Sequence, residues 1–171
     1  MVQVVAETGR EAGSRASRRL RREGSVPAIL YGKTQEPLRL FVNAHDFETA
    51  LSHRVTTGVL LDLSVEGSTV LVKLQDVQRH PVRRVLSHLD FLAVDAAEEM
   101  EATVEVLADG VELLISSIVV KGRPAMIPAV VRVSAADIAE EVVLAGGIQL
   151  PKGVVLVTAA DTPVARLSEE G

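Results

Sequence analysis

Apolar residues in the first half of the chain fall largely at every second position, the period of a half-buried strand. Val59, Leu61, Leu63 and Val65 alternate with Leu60, Asp62 and Ser64; Gly67 supplies a turn, and Ser68 to Leu74 returns as the partner of a hairpin. Val2 to Glu7, Val26 to Tyr31, Leu38 to Val42 and Val85 to Leu92 read as further strands. Two short helices interrupt them. One runs from Ser14 to Glu23, with Ser14 as N-cap and Gly24 at its end, and Asn43 caps the other, which continues to about Ser52. Six strands joined by brief turns predict a small, closed or nearly closed antiparallel barrel, because closure removes exposed edges.

Beyond residue 95 the same pattern resumes. Met100, Ala102, Val104 and Val106 alternate with Glu101, Thr103 and Glu105. Ile115 to Val120, Ala129 to Val133 and Val154 to Val157 supply more strands, and Ser134 is placed to cap one short helix through Glu140. The polar connector Asp95-Ala96-Ala97-Glu98-Glu99 lies between the two apolar stretches, so a boundary is expected there. The expected organisation is a six-stranded barrel over residues 1–95 and a second, acidic, β-rich domain over 96–171.

Composition sharpens this picture. Val, Leu, Ile and Ala dominate while aromatics make up only 2%, a mixture that favours pleated sheet. Without cysteine there can be no disulfide framework, thiolate metal site or cysteine nucleophile. The amino terminus lacks an apolar signal core, and no run approaches the ~20 apolar residues that span a bilayer. The expectation is a soluble, cytoplasmic chain, monomeric when free. Its net charge of −5 is unevenly divided: residues 1–95 carry 13 Lys+Arg and 11 Asp+Glu, giving +2, while 96–171 carry 5 and 12, giving −7.

That asymmetry draws attention to two segments of the first half. Arg15, Arg18, Arg19 and Arg22 are spaced so that they line one broad helical face, with Arg21 beside it. Like charges at such spacings cost ~0.2 to 0.5 kcal/mol per pair, and only Glu11 and Glu23 sit nearby in sequence. An external anion accounts for the face; a merely solvated basic helix is the plainer alternative. The second segment, Val72 to Phe91, sets Gln75, Gln78, His88 and Asp90 among apolar strand residues. If the anion is a nucleic acid, arginines position the protein on phosphate while amides, an imidazole and a carboxylate can read base edges. A period of two puts His88 and Asp90 on one face and Leu89 and Phe91 on the other, although His88 and Asp90 could equally be a private structural pair. Tyr31 is the only tyrosine, and with three phenylalanines the chain cannot build a multi-ring stacking platform. Structured, helical RNA fits better than a single strand.

Enzymatic readings find less support. His88-Leu89-Asp90 matches the first two ligands of a two-histidine, one-carboxylate iron site, but no histidine follows to complete the usual order. There is no Gly-x-Ser-x-Gly elbow and no phosphate-binding loop. Neither an enzyme nor a bound cofactor or metal is expected. The alternative from another class is an acidic protein-interaction or stress module carrying an incidental basic helix.

Gly13-Ser-Arg-Ala-Ser-Arg-Arg-Leu-Arg-Arg22, Val26-Pro-Ala-Ile-Leu-Tyr-Gly32 and Gln75-Asp-Val-Gln-Arg-His-Pro81 followed by His88-Leu-Asp-Phe91 resemble the 5S-rRNA-binding family known as the twenty-fifth protein of the bacterial large ribosomal subunit. The carboxyl-terminal part, with Gly147-Ile-Gln-Leu-Pro-Lys-Gly153, is similar to the longer two-domain form called the general stress protein CTC, with its glycine-rich insertion shortened around Lys121-Gly122-Arg123-Pro124. The resemblance implies a barrel that binds the wide minor groove of an irregular internal-loop region of 5S rRNA. It implies Arg10, Arg18, Arg19, Tyr31, His88 and Asp90 as main contacts, joined by Ser17, Gln75 and Gln78, with Arg15 as a phosphate contact. Neighbouring large-subunit proteins or rRNA are the partners implied for the second domain.

Overall fold

The computed structural model describes residues 2–9, 14–52, 54–137 and 141–167, and the chain divides after Asp95 into two compact units. In the first unit six strands form a closed barrel: β1 (Val2–Thr8), β2 (Ser25–Tyr31), β3 (Leu38–Asn43), β4 (Leu60–Val65), β5 (Ser68–Arg79) and β6 (Leu86–Ala93). Around the wall the order is β1-β3-β2-β6-β5-β4. Four seams are antiparallel, and the hairpin of β4 and β5 forms as its alternating pattern predicts. The other two, β1 with β4 and β2 with β6, are parallel, so the closed barrel is of mixed direction rather than wholly antiparallel. Pairings between strands so distant in sequence leave no mark on local periodicity. Pro27 lies one residue before β2 begins to pair with β6, so its missing N–H leaves no gap in that ladder.

Alternation fills the interior. In β2, Val26, Ala28 and Leu30 are buried while Ser25, Pro27, Ile29 and Tyr31 lie on the outer side. In β6, Leu89 and Phe91 are fully buried, and His88 and Asp90 are only partly so. Helix α2 (Ala44–Ala50) begins where expected: the Asn43 side-chain oxygen accepts a hydrogen bond from the Asp46 amide at 3.1 Å. It sends Phe47 into the barrel core, where the ring meets Phe91 edge-on, with centroids 6.1 Å apart and planes at 72°. Helix α1 (Ser14–Arg22) packs against β2 through half-buried Ala16 and Leu20 and ends at Gly24, whose φ of 84° lies in the left-handed region that a residue without Cβ adopts at no cost.

The second unit holds β7 (Met100–Asp109), β8 (Val111–Leu113), β9 (Ser117–Gly122), β10 (Val130–Ser134), β11 (Val142–Leu144), β12 (Val155–Leu156) and β13 (Pro163–Leu167). They form a four-stranded sheet in the order β10-β7-β9-β12 and a three-stranded sheet in the order β11-β13-β8. Of the helix expected after Ser134, the described part, Ala135–Asp137, is a 3-10 turn, and residues 138–140 of that expectation lie outside the described residues. Strands β8, β11 and β13 go beyond the expected set. The first two have only three residues each, and β13 opens on a proline, which masks the strand signal.

Candidate nucleic-acid interface

The outer wall of the barrel at β2, β6 and β5 gathers most of the polar residues that the sequence singles out. Register places Ile29 of β2 beside Asp90 of β6, and Asp90 opposite Asp76 of β5; further along the same ladder, Gln78 lies opposite His88. A β-bulge makes this alignment. Leu74 pairs with Phe91 and Asp76 with Asp90, so Gln75 is the extra residue on β5. Without the bulge, strict alternation from buried Leu74 would turn Asp76 and Gln78 inward and Val77 outward. With it, Val77 is partly buried and packs on the core, while Asp76 and Gln78 are exposed. Gln75 is exposed as well.

Within this cluster the groups are coupled. His88 Nδ1 lies 2.8 Å from Asp90 Oδ1, with the two side chains 33% and 27% exposed, so both can still meet a partner. Nδ1 is itself buried and makes no aligned hydrogen bond, so the approach to Asp90 is an electrostatic contact rather than a full hydrogen bond. The Gln78 amide nitrogen donates to Asp76 Oδ2 across 3.4 Å, a long and weak bond. Burial, and then the negative charges of Asp90 and Asp76, hold the Tyr31 phenol above its ordinary pKa, so at neutral pH it keeps its proton as a donor. The next residue, Gly32, sits against Ala93 at the end of β6. A Cβ at Gly32 would stand 2.9 Å from the Ala93 carbonyl oxygen, so the ends of β2 and β6 approach closely only because residue 32 has none.

Two carboxylates directly opposite each other on one sheet face destabilise it. Among the described residues neither Asp76 nor Asp90 pairs with a lysine or arginine; the His88 ring adjoins Asp90, the Gln78 amide adjoins Asp76, and the Tyr31 phenol feels both charges. The wall is therefore an acceptor-rich patch suited to a partner that donates hydrogen bonds from neutral amino groups. Sequence reasoning misses Asp76 because its outward direction depends on the bulge. A signal is nonetheless present: buried Leu74 and core-packed Val77 are three apart, an odd spacing that a regular strand cannot place on one face.

Helix α1 contacts β2, the strand next to β6, and its Arg19 and Leu20 border a cleft whose other walls include residues of β1, β3 and β4. Arg15, Arg18, Arg19, Arg21 and Arg22 are exposed. Arg19 lies 4.0 Å from Glu23 one turn later, while Arg15, Arg18, Arg21 and Arg22 form no ion pair among the described residues. Ser17 belongs to the helix, but its side chain is outside what is described, and Arg10 lies outside the described residues. Among the described residues, no group of three or more histidine or acidic side chains is placed to hold a metal ion, and no helix is long and apolar enough to cross a membrane.

A closed β-barrel with a polar outer wall and an arginine-rich helix, followed by a second β-rich unit, defines a binding protein that works by its surface rather than by an enclosed catalytic pocket. The chain belongs to the Ribosomal L25p family, whose family model matches residues 5–91. Proteins of this family are structural, non-enzymatic components of the ribosome. A protein of Neisseria meningitidis called "Large ribosomal subunit protein bL25" is 37% identical over 169 residues, covering 90% of this chain and 89% of the relative. Proteins with the same name from Nocardia farcinica, 36% identical over 91% of this chain and 81% of the relative, and Streptomyces coelicolor, 34% identical over 95% and 86%, also align. Such coverage reaches well past residue 91, so the similarity includes the second unit and marks the longer, two-unit form of the family.

Proposed function

We propose that this chain is a component of the large ribosomal subunit that docks its amino-terminal barrel on the minor groove of an irregular helical region of 5S rRNA. The observation that carries the reading is the acceptor-rich wall of Asp76 and Asp90, ringed by Tyr31, Gln78 and His88 and supported by the β5 bulge. A-form RNA exposes its shallow minor groove, where guanine presents an amino donor that a carboxylate accepts and the 2′-hydroxyls both donate and accept. Tyr31 and Gln78 suit those hydroxyls. Phosphate repels the two acids, and the arginines of α1 supply the compensating attraction: Arg15, Arg18 and Arg19 take the backbone, and Arg10 and Ser17 extend that contact. Gln75, set apart by the bulge, adds an amide at the edge.

The second unit, with its −7 charge, is repelled by phosphate, so protein neighbours in the large subunit suit it better as partners than RNA. In a filter-binding titration, His88→Ala and Asp90→Ala should each weaken 5S rRNA binding by about 1 to 3 kcal/mol with the melting temperature unchanged. Unaltered affinity in both variants would remove the wall as the site.

A further inference from the structure

The connection between β5 and β6, His80 to Val85, is exposed along its whole length and yet firmly tied. The His80 amide donates to the Val85 carbonyl at 2.8 Å, and the Arg84 amide to the His80 carbonyl at 2.9 Å. His80 Nδ1 accepts from the amides of Val82 and Arg83, each at 3.2 Å, which places the proton of the neutral ring on Nε2. Arg79 donates through Nη1 to the Arg84 carbonyl at 3.1 Å and pairs with Glu48 of α2 at 3.3 Å. Arg79 and His80 therefore serve the loop itself, and neither is available to a partner in full.

Arg83 and Arg84 are different. Neither side chain forms an ion pair or hydrogen bond among the described residues. Arg84 also has a φ of 57°, in the left-handed region that disfavours a side chain and suits glycine or asparagine. The turn would form with less strain around a glycine, so folding does not explain an arginine there, and an unfavourable conformation held by surrounding hydrogen bonds points to a use. The tip also continues the polar wall directly. The Arg79–Leu86 pair follows the Gln78–His88 pair along the same ladder, with Ser87 as an extra residue on β6 between them.

We infer that the β5–β6 tip is a second anchoring point, at which Arg83 and Arg84 hold the phosphate backbone bordering the groove that the wall reads. The inference rests on the proposed 5S rRNA docking and assigns it a rigid clamp in addition to α1. Two guanidiniums on a pre-formed turn lose little conformational freedom on meeting phosphate, and each adds a released counterion.

The test uses the full chain, with Arg83→Gln and Arg84→Gly titrated against 5S rRNA over a series of KCl concentrations beside His88→Ala. Each arginine variant should bind about five- to tenfold more weakly, with the slope of log affinity against log salt reduced by about one. Arg84→Gly should melt no lower than the wild type, since glycine relieves the strained turn, which separates lost contact from lost fold. Unchanged affinity and slope in both arginine variants, with His88→Ala still weakened, would overturn the clamp and leave the wall standing. A wild type without preference for 5S rRNA over a generic RNA duplex overturns the docking reading and the clamp with it.

Discussion

Tyr31 reports on the wall at the scale of a single residue. It is the only tyrosine in a chain without tryptophan, so its ionisation can be followed by tyrosinate absorbance with no background from other sites. Burial first, then Asp90 and Asp76, raise its pKa above the ordinary 10.0. The folded protein thus holds the phenolic proton more tightly than the unfolded chain does. The resulting contribution to stability is fully present below pH 10.0 and is lost as the pH rises through the folded value. Asp76→Asn and Asp90→Asn are each expected to lower the Tyr31 pKa; a titration curve that neither moves would show that the carboxylates do not flank the phenol. Of the residues in this cluster, His88 and Asp90 are legible in the sequence because strand alternation fixes their side once Leu89 and Phe91 are taken as core. Asp76 is hidden because its direction is set by a neighbour that does not pair.

At the scale of elements, the bulge decides what the wall displays. Gln75 is the residue without a partner, so deleting it should leave Leu74 opposite Phe91 and Asp76 opposite Asp90 in one continuous ladder. The variant is expected to fold with a cooperative thermal transition and to keep Asp76 and Gln78 outward, while losing the local twist that a bulge imparts. A loss of cooperative melting on deletion would mean that the pairing is not as described. Both barrel helices are readable from caps: Asn43 before α2 and Gly24 after α1 are residues chosen for backbone geometry, and such signals survive any tertiary context. Strands β8 and β11 are not readable, since three residues are too few to show a period.

At the scale of the whole chain, the two units differ in charge more than in architecture. If the barrel carries RNA binding alone, residues 1–95 should melt cooperatively in isolation and bind 5S rRNA as tightly as the full chain, and residues 96–171 should retain no RNA in the same filter assay. Binding by the second fragment alone would reverse the assignment of the units. The charge asymmetry behind this expectation is visible in the sequence, as is closure of the barrel. The two parallel seams are not, because each joins strands separated by two or three others and only packing reveals them.

Those seams also set the order in which the protein can come into being. Strand β6 is the last of the barrel to be synthesised, yet it lies between β2 and β5 in the wall. Until Ala93 has emerged, β2 and β5 have no common neighbour and the surface bearing His88 and Asp90 does not exist. Long-range pairing of this kind is slow to form, and here it delays recognition until the barrel is complete. A truncated or half-folded chain carries the basic helix but not the reader, so it can be attracted to RNA in general without being able to select a site.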